Sequence, residues 1–225
     1  MSEETVIAIG KAAEAASKTT GKLIEATTKL GRVFKGPIAD AVGILEDRLK
    51  FARWERQLAL LDKAQRIMVS RGLKTPTREL PLNFVVPLLT SAALEEDDDL
   101  QETWAKLLVN AGDAATEMEL RTAYVEILRG MSAFDVRNLS KLAEATLSAP
   151  ERVECYVGTM NLPQFSEAAP GSLQGNPILS REVSISIANL IRLGCVVAPG
   201  GFGGGVIFFH VLVTELGLAL YHACA

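Results

Sequence analysis

The chain has two histidines and three cysteines, and Cys195, His210, His222 and Cys224 all lie near its end. Imidazole and thiolate are the usual donors of a tetrahedral zinc site. The spacing opposes that chemistry. His222 and Cys224 are two residues apart, which on a helix turns them roughly 200° away from each other around the axis. A packed interior is their expected setting, and no metal or other cofactor is expected. Nucleophilic catalysis fares no better. Both histidines fall late in the chain, so few Ser/His/Asp or Cys/His sets can be assembled. Gly200 to Gly205 lacks the Gly-Lys-Ser/Thr ending of a phosphate loop and opens no helix, so it reads as a hairpin tip. The chain is expected not to be an enzyme, because its titratable groups are not clustered.

Two charged patterns remain. The run Glu95-Glu96-Asp97-Asp98-Asp99 could bind a divalent cation, but it lacks the spacing and central glycine of a calcium loop. Carboxylates at a helix start, where they cap free amides and meet the positive end of the dipole, are the expected reading. The second pattern is more suggestive. Lys11, Lys18, Lys22 and Lys29 recur at spacings of 7, 4 and 7 and share one helical face. Ala13, Ser17 and Gly21 recur every four residues, a small-residue stripe that permits close helix contact. Ile7, Leu23, Ile24, Leu30, Val33 and Phe34 add apolar surface. Such a basic amphipathic helix can lie on an anionic membrane or pack on a partner helix. It can equally fold back on its own body or pair within an oligomer. These seven lysines and small residues are the candidate interaction site.

The elements that must carry these patterns are mostly helical. Residues 5–35 read as one helix, and Gly36-Pro37 punctuates it before a second helix that ends near Ser70, with Gly72 as its stop. In the second helix, Leu60, Ala64, Ile67 and Met68 mark an apolar stripe, with Arg56, Asp62, Lys63 and Arg66 opposite. A largely apolar helix from Leu82 contains Pro87, where a kink or a fresh start is expected. Leu100, Trp104, Leu107, Leu108 and Ala111 mark the next helix, ending at Gly112. Residues 117–129 read as a further amphipathic helix. Ser132 and Asp135 resemble a capping box opening a helix to about Thr146. Four prolines make residues 150–178 mostly loop, with one strand at Val153–Val157. Ser180 caps a helix to Leu193. A hairpin follows, built from Cys195-Val-Val and Val206–Val211, and Thr214 caps a last helix to about Cys224.

Composition bounds the class. Hydrophobic residues are 48% and charged residues 22%, enough for a buried core and against global disorder. The net charge of −4 argues against a general nucleic-acid binder. Residues 1–35 carry six basic and four acidic side chains, so a mildly basic arm precedes an acidic body. Three widely spaced cysteines fit a reducing cytosol rather than a disulfide framework. No secretory signal is visible at Met1-Ser-Glu-Glu-Thr. Residues 193–214 carry no formal charge and have the length of a membrane span, but their glycines and Pro199 favour strand–turn–strand.

Leu80-Pro81-Leu82, Val86-Pro87-Leu88-Leu89 and the segment from Asp98-Asp99-Leu100-Gln101-Glu102-Thr103-Trp104 to Ala111 are similar to the central signature of the abortive infection alpha family. Tyr124–Leu128 with Met131-Ser132 resembles the helix that follows there, and Ile187–Gly194 and Leu212–Gly217 resemble its ending. The resemblance spans roughly residues 35–225. It implies a bacterial protein linked with abortive infection, in which an infected cell stops growing or dies before phage matures. It brings no catalytic residues with it.

The resulting expectation is a mainly α fold. Residues 1–35 form the arm, 36–148 a helical bundle, and 149–225 a winged-helix-like unit with a β-hairpin. The expected function is that of a non-enzymatic effector or accessory protein acting through a protein or membrane. A homo-oligomer or a partner protein is expected, in the cytoplasm or peripherally at the inner membrane. The alternative is a nucleic-acid-binding regulator using the winged unit. Against it, residues 178–225 balance Arg181 and Arg192 with Glu182 and Glu215, and phosphate binding needs several basic contacts.

Overall fold

The computed structural model describes residues 51–149, 155–168, 179–199 and 208–225. Seven α-helices lie within these residues: α1 (Phe51–Ser70), α2 (Leu82–Ala92), α3 (Asp98–Gly112), α4 (Thr122–Arg129), α5 (Ala133–Ser148), α6 (Arg181–Arg192) and α7 (Glu215–Ala223). Three short strands, β1 (Val157–Gly158), β2 (Val196–Val197) and β3 (His210–Val213), form an antiparallel sheet in the order β1-β3-β2. The fold is mainly helical with a small sheet, as the sequence predicts.

The helix ends follow local chemistry. Asp97 caps α3 by accepting from the backbone N–H groups of Asp99 and Leu100. Ser132 and Asp135 form a reciprocal capping box at α5. Ser180 and Thr214 cap α6 and α7 through the amides of Val183 and Gly217. Gly72 stops α1 with φ 73°, a left-handed conformation that glycine adopts without Cβ strain.

Three expectations are corrected. Pro87 lies inside α2, which runs through it, so of the kink or fresh start expected there the fresh start does not occur. The carbonyl four residues earlier, on Asn83, belongs to an exposed residue that water can satisfy. The helix expected over 117–129 begins only at Thr122. Ahead of it, Asp113 caps a single 3-10 turn, Ala114–Thr116, Glu117 takes φ 50°, and the Arg78 guanidinium donates to the Met118 carbonyl at 2.8 Å. A partner distant in sequence thus holds the segment out of helix. Among the described residues of the two expected strands, 155–156 and 208–209 lie outside the ladder, and the strands are Val157–Gly158 and His210–Val213; residues 153–154 and 206–207 lie outside the described residues. Val157 pairs with Val211, and Val196 with Val213. An unbroken apolar run such as 206–209 has no alternation to fix its limits, so pairing sets them.

Helix α3 is the centre. Its residues from Leu100 to Ala105 and from Leu107 to Gly112 are buried except Glu102, so it is enclosed on nearly every side. It packs on α1, α2, α5 and α7. Helix α5 packs in turn on α6, α7, β1 and β3. One hydrophobic cluster therefore runs unbroken from Leu60 in α1 through Trp104 and Leu142 to Leu220 in α7. The stripe Val183, Ile187 and Leu190 buries α6 against this cluster, each side chain contributing about 1.5–3 kcal/mol.

Candidate functional site

Lys11, Lys18, Lys22, Lys29, Ala13, Ser17 and Gly21 lie outside the described residues.

The acidic run occupies the turn before α3 and its first residues. Glu95 accepts from the amides of Glu96 and Asp97, while Asp97 caps the helix. Glu96 pairs with Arg56 at 2.8 Å, Asp98 with Lys63 at 2.9 Å, and Asp99 with Arg137 at 3.3 Å. Every one of the five carboxylates thus has a partner or a capping duty. Exposed pairs of this kind contribute little stability, but they offset three of the five charges and tie the start of α3 to α1 and α5.

The cysteines and histidines are dispersed. Cys195 is buried at the start of β2, and His210 opens β3. His222 is exposed near the end of α7, and Cys224 follows that helix. Among the described residues no three His, Cys, Asp or Glu side chains gather as a metal would require. Burial pushes the Cys195 thiol up to about 12. Burial does the same for Cys224, up to about 12, against a smaller opposing pull from Lys106. Part of Cys224 reaches the surface, but its sulfur is enclosed. Both thiols stay protonated near neutral pH and are weak nucleophiles.

Two polar hubs organise the body, and neither stands out in the sequence. Asp135 accepts from Ser132 N and Ser132 Oγ at 2.8 Å, from Ser186 Oγ at 2.6 Å and from Asn189 Nδ2 at 3.0 Å. Asn138 donates to Ser186 Oγ at 2.9 Å, and Arg192 donates to Asn189 Oδ1 at 2.8 Å. The network pins α6 to α5 and fixes which face of α6 is left outward. That face carries Arg181, Ile185, Ala188 and Arg192, with Ile185 59% exposed. Val197 on β2 is also exposed. The legible signal was Ser186, a polar residue inside the apolar stripe of α6, which burial obliges to find a partner. The second hub is Asn110. It accepts from Arg71 Nη1 and donates to the Ala223 carbonyl at 2.9 Å, joining α1, α3 and α7.

A cleft of about 310 Å³ opens between α3, α5 and α7, with Leu128 and Met131 among its lining residues. A second, of about 480 Å³, lies where the segment before α4 meets α7, lined in part by Arg121, Tyr124 and His222. Arg121 is held by Glu119 at its mouth. Burial raises Tyr124 above the usual phenol value.

No helix among the described residues is long and apolar enough to cross a membrane. The uncharged stretch 193–214 contributes β2 and β3 rather than a span. No curated protein and no solved structure matches the chain. The model of one family, described as abortive infection alpha, matches residues 55–202. This is narrower than the resemblance read over 35–225, since β3 and α7 lie beyond it. The match still takes in α1 almost from its start, every helix to α6, and β2, well over half of the sequence, and on that ground the chain belongs to the abortive infection alpha family.

Proposed function

We propose that the protein serves abortive infection as a non-enzymatic effector or accessory protein, acting by contact with a protein or a membrane. The family supports the setting. The observation that carries the mode of action is the lysine face of residues 11–29 beside the stripe Ala13, Ser17 and Gly21. A helix of that pattern engages an anionic lipid surface or another helix. The raised thiols of Cys195 and Cys224 support a packing rather than a nucleophilic role for those two residues.

We read residues 149–225 as a winged-helix-like unit packed on α5, supported by the order β1-α6-β2-β3-α7 and the sheet order β1-β3-β2. It serves packing or self-association in this reading. The outward face of α6 offers Ile185 and Ala188 between only two arginines, fewer than nucleic-acid binding needs.

The test compares the full chain with the quadruple variant Lys11→Glu, Lys18→Glu, Lys22→Glu and Lys29→Glu. Flotation with anionic and neutral vesicles reads membrane contact, and plaque counts on expressing cells read defence. Loss of protection together with loss of flotation supports the membrane form. Loss of protection without flotation in either protein supports a protein partner. Full protection by the variant removes the arm from the mechanism.

A further inference from the structure

We infer that the cleft between α3, α5 and α7 is a binding site for a small amphipathic carboxylate. Its wall is apolar at depth: Leu128, Met131, Leu139 and Leu220 all line it and all are buried within the core. Lys106 lines it too and makes no ion pair or hydrogen bond among the described residues. The hydroxyl of Tyr221, another lining residue, likewise has no partner among them. Glu144 on the lining is held by Lys141 at 2.8 Å, and the carboxyl end of Ala225, which also lines it, accepts from Arg71 at 3.0 Å, so Lys106 is the lining charge left without a partner among the described residues. Cys224 does not compete for it, since its enclosed thiol stays neutral.

An apolar cleft with a few convergent polar groups is the usual form of a small-molecule site. The charge selects an anionic head over a cationic one. The hydrophobic wall selects an alkyl or aryl body over a phosphate or a sugar. The cleft, about 310 Å³, has room for a small molecule rather than a single water. Octanoate, a carboxylate head on a short alkyl body, is the simplest probe of that chemistry. Helix α7 closes one side of this cleft, and α7 is fastened to α3 through Asn110. A ligand seated there would touch both the centre of the fold and its last helix.

Calorimetric titration of the full chain with octanoate, and with octylamine as the cationic match, tests the site. Saturable one-to-one binding of octanoate without octylamine binding is expected. Lys106→Gln should weaken it about tenfold or more, the loss of one charge-assisted contact, and Lys106→Arg should keep it within about threefold. Leu139→Trp, which fills the cleft, should abolish it. If that variant fails to fold, judged by circular dichroism, the Lys106 pair still decides. No saturable binding of octanoate, equal binding of octylamine, or unchanged affinity in Lys106→Gln would each overturn the assignment.

Discussion

Replacing Gly217 by alanine is the sharpest test of how the last helix meets the sheet. In a free helix the change would stabilise by up to ~1 kcal/mol. Here a Cβ on Gly217 would run into the Cys195 carbonyl oxygen and lie 3.0 Å from the carbonyl carbon and 3.1 Å from Cα. Backbone cannot swing aside as a flexible side chain can. The same carbonyl accepts from Thr214 N at 3.0 Å and from Thr214 Oγ1 at 3.1 Å. Overpacking of a tight contact costs ~1–3 kcal/mol, and the two strained bonds cost ~1 kcal/mol each. After the helical gain is subtracted, Gly217→Ala should lose about 2–4 kcal/mol. Urea unfolding followed by far-ultraviolet circular dichroism measures this directly, with an unchanged denaturant slope. The melting temperature should fall by roughly 5–15 °C for a chain of this size. A variant as stable as the parent, or more so, would refute the close approach of α7 to the start of β2.

The other predictions concern the buried network and the thiols. Asp135→Ala leaves Ser186 Oγ without its acceptor and Asn189 Nδ2 with only the Gly130 carbonyl, and the loss of these charge-assisted bonds should cost about 3–5 kcal/mol, whereas Ser186→Ala, which removes one member, should cost about 1–2 kcal/mol. Equal and small losses in urea unfolding would show that the network does not hold α6. Cys195 and Cys224 are raised by burial to about 12, above the value of an unfolded thiol. The stability they contribute is therefore whole below the unfolded value near about 8.5 and is lost as pH rises toward the folded one. Melting temperature should fall through that alkaline window, and the double variant Cys195→Ala with Cys224→Ala should fall less steeply. At about pH 8 both thiols should react with a disulfide reagent far more slowly in the native protein than after unfolding. Equal rates would contradict their enclosure.

Residue types alone decided the helix borders wherever the signal was a local bond. Ser132, Ser180 and Thr214 cap the helices they were expected to cap, and Asp97 does so from within the acidic run placed at a helix start, because a side-chain oxygen satisfies amides two or three residues away and needs nothing else. The apolar stripes were legible for the same reason, since Leu60, Ala64 and Met68 repeat at the helical period that buries them. Tertiary structure decided whatever depended on a distant partner. Residues 117–121 stay out of helix where Arg78 holds the Met118 carbonyl from forty positions away. The limits of β3 come from pairing with two other strands, and Asp135 became a hub only when α6 was laid against α5. The cleft at Lys106 exists because α3, α5 and α7 converge around a floor set by the end of α4. Periodicity fixes which side of a helix turns inward, whereas the space left where three such helices meet is a property of their packing.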